Sequence, residues 1–247
     1  MTVAHVVLLL LAGIAAGLAG SVSGLASVIS YPALLAVGLP PVSANVTNSV
    51  ALVFSGFGST LGSRPELRGQ LRRLRLLSAV AVVGGSGGAA LLLLTPASAF
   101  QRVVPWLIGL ASLCVLIPRP KAHPELGARD RTPVIVGVLL ISVYGGYFGA
   151  AAGVLLLALL LAATAESLPR SNAVKNAVLF CANGVAAVGF AIFGDVRWLA
   201  AIPLGLGFFT GGLLGPRVVR RLPSGPLRLG IAVAGVIIAI KLAVQAY

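Results

Sequence analysis

Hydroxyl and amide side chains that could bind a ligand are concentrated in the motif VSANVTNSV (42–50), between two long apolar runs. Ser43, Asn45, Thr47 and Asn48 offer neutral donors and acceptors of hydrogen bonds. A polar group that faces lipid is costly, so we expect these side chains to point inward, toward one another or toward water. Two roles remain open for each: contact with a ligand, or a hydrogen bond between helices, worth about 0.6 kcal/mol.

A second polar motif, SNAVKNAV (171–178), aligns without gaps with SANVTNSV (43–50). Asn176 falls on Asn48, and a lysine, Lys175, takes the place of a threonine. The preceding prolines align as well. The alignment predicts that the chain consists of two related halves.

In both halves a polar residue recurs seven positions after the motif asparagine. Ser55 follows Asn48, and Asn183 follows Asn176. Seven residues are close to two helical turns, so each pair lies on one face of its helix.

Lys175 is the charged residue of the second motif. No acidic residue lies one or two turns away along its predicted helix, and Glu166 precedes it by nine residues, across a proline. A cation beside freed helix N-termini favours an anion-binding site. The alternative is that the lysine lies near the start of its segment and extends its long side chain to the membrane surface.

Glycine-rich stretches at 17–24 and 144–153 interrupt the apolar runs, and each is followed by a proline-containing stretch before a polar motif. Breaks of this kind expose backbone groups that lipid cannot satisfy, and transporters place them at a central substrate site. We therefore expect freed N–H groups at residues 20–24 and 149–153 to contribute to a site. The glycines that mark these breaks are Gly20, Gly24, Gly149 and Gly153.

Other glycines are interpreted as close-packing positions of helices. They lie in VGGSGG (83–88) and GFFTGGLLG (207–215) and comprise Gly84, Gly88, Gly207, Gly211 and Gly215.

The composition places these motifs in a membrane. Of the 247 residues, 58% are hydrophobic and 9% are charged, whereas soluble domains have roughly 25% charged residues. Several apolar runs reach the ~20 residues that cross a bilayer as a helix. Because Leu, Ala and Gly dominate and no alternating pattern occurs, we predict an all-α polytopic membrane protein rather than a barrel.

Ten apolar segments are predicted, five in each half. The first five span about 3–19, 24–38, 44–62, 76–94 and 102–117, and the second five span about 133–147, 149–164, 172–193, 198–215 and 226–245. An odd number of segments per half requires the second half to enter the membrane from the opposite side. Whether the first two segments of each half cross fully is left open.

Loop charges agree with inverted-topology repeats. The loop after the third segment carries five arginines, whereas its counterpart after the eighth carries Asp195 and Arg197. Basic loops are cytoplasmic by the positive-inside rule, so we predict a multi-pass protein of the plasma membrane with loops 64–75, 118–132 and 216–228 in the cytoplasm. The predicted units are a first repeat (1–117), a central cytoplasmic linker (118–132) and a second repeat (133–247).

Several classes of function are disfavoured. The net charge of +13 does not indicate nucleic-acid binding, because the basic stretches contain no interleaved aromatic residues. GSVSG (20–24) resembles the nucleophile motif of an intramembrane hydrolase, but His5 is the sole base candidate within an apolar segment. No metal-ligand spacing occurs. We predict no enzyme activity, no cofactor and no metal; the partners are a small anionic substrate and the lipid bilayer, with the oligomeric state undetermined.

The motifs resemble those of the TauE/SafE family, the sulfite exporters. The resemblance covers nearly the whole chain and is carried by ISYPALLAVGLPPVSANVTNSVAL (29–52), RPELRGQ (64–70), YGGYFGAAAGVLLLALL (144–160), NAVKNAV (172–178) and GGLLGPRVVRRLP (211–223). The chain departs from the family at the first break, where Gly24, Leu25 and Ala26 stand in place of a Gly-Gly-Gly run, and at Gly20 and Ala152, where Asn or Gln is frequent.

The resemblance implies a polytopic plasma-membrane transporter of sulfite, sulfonates or related sulfur-containing anions. We expect export to be favoured and an anion channel or a structural membrane subunit to be the alternative. The expected site lies between the two polar motifs. Its candidate side chains are Ser43, Asn45, Thr47, Asn48, Asn172, Lys175, Asn176 and Asn183.

Overall fold

A computed structural model describes residues 1–116, 132–164, 166–219 and 240 of the chain. Within that part, the chain forms ten helices. They are α1 (Val3–Ser23), α2 (Ala26–Ala36), α3 (Pro41–Gly62), α4 (Arg64–Leu67), α5 (Leu71–Leu94), α6 (Ala97–Leu116), α7 (Thr132–Tyr147), α8 (Ala152–Ala163), α9 (Leu168–Phe193) and α10 (Trp198–Val219). The all-α fold predicted from composition is confirmed.

The helices follow the predicted segments. Each of the first nine segments overlaps one helix, and the additional helix α4 is a single turn within the basic loop 64–75. The linker 118–132 lies outside the described residues except for Thr132, and the tenth segment, 226–245, except for Ile240. Of loop 216–228, residues up to 219 are described.

Helix length distinguishes full spans from partial ones. α1, α5, α9 and residues Trp198–Val218 of α10 are long and apolar enough to cross a membrane. α2 and α8 contain 11 and 12 residues, about 17 Å of helix, which is roughly half of a bilayer's hydrocarbon core. The second segment of each half is therefore too short to span.

The helices of the two halves interlock. α1 and α3 pack along α10, whereas α7 and α9 pack along α5. By position in the two halves, α1 corresponds to α7, α3 to α9 and α5 to α10. Under this correspondence the contact of α1 with α10 becomes that of α7 with α5, and the contact of α3 with α10 becomes that of α9 with α5. The contact between α3 and α9 is unchanged. This arrangement is compatible with two related halves. The fourth segment of each half thus packs on the first segment of the other.

Glycines permit the closest helix contacts, and the close-packing interpretation is confirmed. A Cβ on Gly88 would overlap the carbonyl oxygen of Val143 in α7, and one on Gly84 would lie 2.7 Å from the carbonyl oxygen of Leu139. In α10, a Cβ on Gly207 or Gly211 would overlap a carbonyl oxygen of α1, and one on Gly215 would overlap the side chain of Ser21. Small residues of this kind let two backbones approach within the membrane, where dispersion forces drive association.

The orientations of the helices follow from the order of these contacts. Residues later in α1 contact residues later in α10, and residues later in α5 contact residues later in α7. The two helices of each pair are therefore parallel. α3 and α9 cross in opposite directions, because Gly56 meets Phe180 whereas Val46 meets Gly194. The start of α9 therefore lies at the end of the molecule that carries the arginines of residues 64–75. The start of α3 lies at the opposite end.

The glycine contacts give a first prediction. Gly88→Ala places a methyl group against the α7 backbone, and overpacking of this kind costs about 1–3 kcal/mol. We expect a lower midpoint of thermal unfolding in detergent. Gly189→Ala in α9 is the control, because a Cβ there meets no described atom within 4 Å, and alanine is favoured over glycine in helices by up to ~1 kcal/mol. Equal midpoints for the two variants would contradict the close-packing role of Gly88.

Candidate functional site

The two glycine-rich breaks meet inside the protein. α1 ends at Gly24, which has a φ of +83°, and α8 begins beside Gly153. A Cβ on Gly24 would overlap the backbone of Gly153, and one on Gly153 would lie 2.5 Å from the Cα atom of Gly24. Both positions require glycine, and their contact brings the broken helices of the two halves together.

Polar side chains of α9 satisfy the C-terminal end of α1. The Lys175 ammonium donates to the carbonyl oxygens of Gly20 at 3.0 Å and Ser21 at 3.3 Å. The Asn172 amide donates to the Ser21 carbonyl at 2.8 Å, and the Asn176 amide does so at 3.4 Å. The Gly20 carbonyl also accepts from the Gly24 N–H, whereas the Ser21 carbonyl lacks a helical partner because the helix stops there. The second polar motif therefore caps a helix that belongs to the first half.

The first polar motif performs the corresponding task for the second half. Near the start of α3, the Asn45 amide donates to the carbonyl oxygen of Tyr147, the last residue of α7, at 2.9 Å. Asn48 binds α2 instead, donating to the Ser27 hydroxyl at 3.1 Å and accepting from the Ser30 hydroxyl at 2.6 Å. Both amides bind protein groups.

Two further side chains of the first motif hold the turn before α10. The Ser43 hydroxyl donates to the Asp195 carboxylate at 2.7 Å, and the Thr47 hydroxyl accepts from the backbone N–H of Arg197 at 3.0 Å. Asp195 also pairs with the Arg197 guanidinium at 2.9 Å. These contacts join the start of α3 to the turn before α10, at the end of the molecule opposite the arginine-rich loop 64–75.

One expectation from the sequence is wrong, and so is the alternative that was left open for Lys175. The N–H groups at residues 20–24 are not freed, because α1 continues through Ser23 and the Gly24 N–H bonds the Gly20 carbonyl at 2.8 Å. The first break exposes carbonyls instead. Lys175 does not extend to the membrane surface: its side chain is 0% exposed, and its ammonium lies at the end of α1.

A cavity of about 60 Å³ lies between the halves, beside the point where the breaks meet. Two asparagines of the predicted site, Asn176 and Asn183, line it, together with the break glycines Gly20, Gly24, Gly149 and Gly153. Ser27, Ser55 and Ser59 add hydroxyl groups to its wall. The cavity lies closer to the end that carries the arginines, because it contacts the second half of α3, from Leu52 to Ser59, and the α9 residues from Asn176 to Asn183.

The other candidate side chains of the motifs do not line this cavity. They are Ser43, Asn45, Thr47, Asn48, Asn172 and Lys175. Sequence reasoning missed Ser27 and Ser59 as cavity residues. Ser59 is one helical turn after Ser55 and could have been found by that spacing. Ser27 could not, because it reaches the cavity through the position of the α2 N-terminus.

Two helices begin at the cavity wall. They are α2 and α8, which start at Ala26 and Ala152, and neither helix start has a side-chain cap. Each helix N-terminus carries roughly half a positive charge. Lys175 adds a buried ammonium one residue from the cavity-lining Asn176. The C-terminal end of α1 also borders the cavity, at Gly24, and the Lys175 ammonium binds its carbonyls. A small anion beside the two helix starts would be stabilised by them.

Hydroxyl donors are available in the same cavity. Ser55 and Ser59 are 6% and 2% exposed, and neither hydroxyl hydrogen-bonds to the described part of the chain. No Asp or Glu side chain is part of the cavity wall as described. Buried hydroxyls without a protein partner need a ligand or water. The arrangement suits an oxyanion, which accepts hydrogen bonds and carries negative charge.

His5 and Ser21 do not form a nucleophile–base pair. They belong to one continuous helix, α1, and are sixteen positions apart, which corresponds to about 24 Å. A nucleophile and its base must lie within hydrogen-bond distance. Among the described residues, no group of three His, Cys, Asp or Glu side chains could hold a metal ion.

Comparisons with known proteins identify relatives along nearly the whole chain. The sequence profile described as "Sulfite exporter TauE/SafE" matches residues 9–242. A probable membrane transporter protein, ORF9 of a Sinorhizobium species, is 24% identical over 95% of this chain and 90% of its own length. The probable membrane transporter protein YfcA of Escherichia coli K12 is 24% identical over 92% of this chain and 85% of its own length. No solved structure is significantly similar.

The capping and lining roles can be separated by one substitution at two positions. Asn45→Ala removes the amide that binds the Tyr147 carbonyl, and a buried unsatisfied carbonyl costs about 1–3 kcal/mol. We expect its thermal midpoint in detergent to fall by several degrees. Asn183→Ala removes a half-buried amide that makes no hydrogen bond to the described residues, so its midpoint should stay close to wild type. If Asn183→Ala lowered the thermal midpoint and Asn45→Ala did not, the capping role would belong to Asn183 and not to Asn45.

Proposed function

The chain belongs to the TauE/SafE family of sulfite exporters and is a membrane transporter, and from this premise we propose that it carries a small sulfur oxyanion across the plasma membrane. Sulfite or an organosulfonate is the proposed substrate, and export is the proposed direction. The oxyanion binds in the cavity between the two halves.

The cavity at the starts of α2 and α8 is the observation that supports an anionic substrate. Two uncapped helix N-termini and the buried ammonium of Lys175 surround a space with free serine hydroxyls. We assign substrate contact to Asn176, Asn183 and the cavity serines. Lys175 does not line the cavity but supplies positive charge close to it. The remaining motif side chains hold the broken helices in place.

The membrane potential can drive export through this site. With the cell interior negative, an anion that leaves the cell gains about 2.3 kcal/mol per charge for each 100 mV. Uptake of the same anion would require coupling to another ion, and the described cavity wall contains no carboxylate that could relay protons. Export needs no such group.

A carrier is favoured over a channel. The cavity lies toward the arginine-bearing end, whereas the opposite end is closed by the contacts of Ser43 and Thr47 with residues 195–197. A site that is closed at one end agrees with alternating access by inverted repeats. A channel would need a continuous path.

Flux through the purified protein tests this proposal. Proteoliposomes loaded with labelled sulfite should release it faster when an interior-negative potential is imposed with valinomycin. Asn183→Leu replaces an amide at the cavity wall with a larger apolar group, so we expect its initial rate to fall at least tenfold, which corresponds to about 1.4 kcal/mol.

Val188→Leu serves as the matched control, because Val188 lies on the same helix and is 59% exposed. Its rate should equal that of wild type. Potential-independent release, or an unchanged rate for Asn183→Leu, would contradict the proposed site. Release of another sulfur oxyanion but not of sulfite would change the substrate and leave the site in place.

The proposed orientation places residues 64–75 in the cytoplasm. In a chain whose native cysteines are replaced by serine, Arg72→Cys should react with an impermeant maleimide after permeabilisation but not in whole cells. Ser98→Cys should react in both, because α5 runs from Leu71 to Leu94 and carries the chain to the opposite end. Both native side chains are exposed. Labelling of Arg72→Cys in whole cells would reverse the orientation.

A further inference from the structure

The position of Lys175 within the protein resembles that of a bound cation. Its ammonium is completely buried and contacts the carbonyl oxygens of Gly20 and Ser21, at the negative end of the α1 dipole. In secondary transporters, carbonyls of broken helices and helix C-termini coordinate the coupling Na⁺ or H⁺. The lysine of this chain brings a positive charge to the same kind of position.

The other half shows that capping alone does not require a charge. There the C-terminal carbonyl of α7, at Tyr147, is satisfied by the neutral amide of Asn45. Thr47 stands at the position that aligns with Lys175, and its hydroxyl binds the Arg197 N–H rather than a carbonyl. The charge at the end of α1 therefore serves a purpose beyond the closure of a broken helix.

The anion cavity adjoins this charge. Gly20 binds the ammonium through its carbonyl oxygen and also lines the cavity, and the cavity-lining Asn176 binds the same helix end. An anion that enters a low-dielectric site needs a compensating positive charge nearby. A coupling cation could supply that charge, but here an ammonium that belongs to the protein supplies it.

We propose that the Lys175 ammonium is a tethered counter-cation that occupies the place of a coupling metal cation at the end of α1. This inference rests on the proposed anion transport. It follows that transport carries the anion's net charge across the membrane and requires no sodium or potassium ion. Lysine fixes the positive charge in the protein, so each cycle is driven by the potential.

Removal of the side chain should leave a cation site. The carbonyl oxygens of Gly20 and Ser21 would lose their charged donor, and the amide oxygen of Asn172 is buried and has no hydrogen-bond partner in the described structure. Oxygen atoms of this kind are the ligands that hard cations prefer. Because the site adjoins the cavity at Gly20, a cation and its water can reach it.

Thermal unfolding of purified Lys175→Ala in detergent tests the inference without any substrate. NaCl should raise its midpoint saturably, by several degrees between 1 and 300 mM, because a ligand that binds the folded state alone stabilises it (about 2.7 kcal/mol at a hundredfold excess over Kd). Choline chloride at equal concentration should not, since choline is too large. Wild type should respond equally to the two salts.

Asn45→Ala is the matched control, because it also leaves the end of a broken helix uncapped but removes no charge. Its midpoint should be low and indifferent to sodium. Equal responses of Lys175→Ala to the two salts would overturn the inference. So would a sodium-specific rise in the wild-type midpoint, which remains measurable if the variant does not fold.

The outcome is separable from that of the sulfite experiment. Sodium binding by Lys175→Ala together with no sulfite flux in wild type would support the tethered cation and reject the proposed substrate. Sulfite flux in wild type without sodium binding by the variant would support the anion carrier and reject the tethered cation. Lys175→Gln, which keeps a neutral donor, should fold better and bind sodium less than Lys175→Ala.

Discussion

A broken helix inside a membrane must have its free backbone groups satisfied by other parts of the protein, and this constraint organises the molecule. The carbonyls at the end of α1 are bound by Asn172 and Lys175 of α9, and the carbonyl at the end of α7 is bound by Asn45 of α3. Lipid offers no donor for these groups. The polar motifs of the two halves are needed because each one completes the other half's broken helix.

This reciprocal capping explains how the halves hold together. Each half supplies the amide that the other requires, and each supplies the glycine-rich helix on which the other's first segment packs. The breaks then meet at Gly24 and Gly153, where only glycine leaves room for two backbones. A substitution at one of these contacts affects both halves, so the interior behaves as one cooperative unit.

The similarity of the halves ends where their chemistry matters most. The aligned positions of Thr47 and Lys175 bind opposite kinds of backbone group, an N–H before α10 and two carbonyls of α1. One end of the molecule is closed by neutral and paired groups around Asp195, and the other contains the cavity and the buried ammonium. Two halves with corresponding helices therefore differ in the charge that they place inside the protein.

The sequence by itself determined the elements and their grouping. Apolar runs predicted nine of the helices, and the aligned motifs located the polar interior. Glycine stretches marked the helix breaks and the close contacts between helices, such as those at Gly84 and Gly88. These features could be predicted because hydropathy and glycine spacing are local properties. The partners of the polar groups were decided by tertiary structure. Asn45 and Asn172 cap helices about a hundred or more residues away, Ser27 reaches the cavity through the start of α2, and the first break exposes carbonyls rather than N–H groups. A polar residue in an apolar segment must point inward, but whether it meets a backbone carbonyl, another side chain or a cavity depends on which helix end the fold brings beside it.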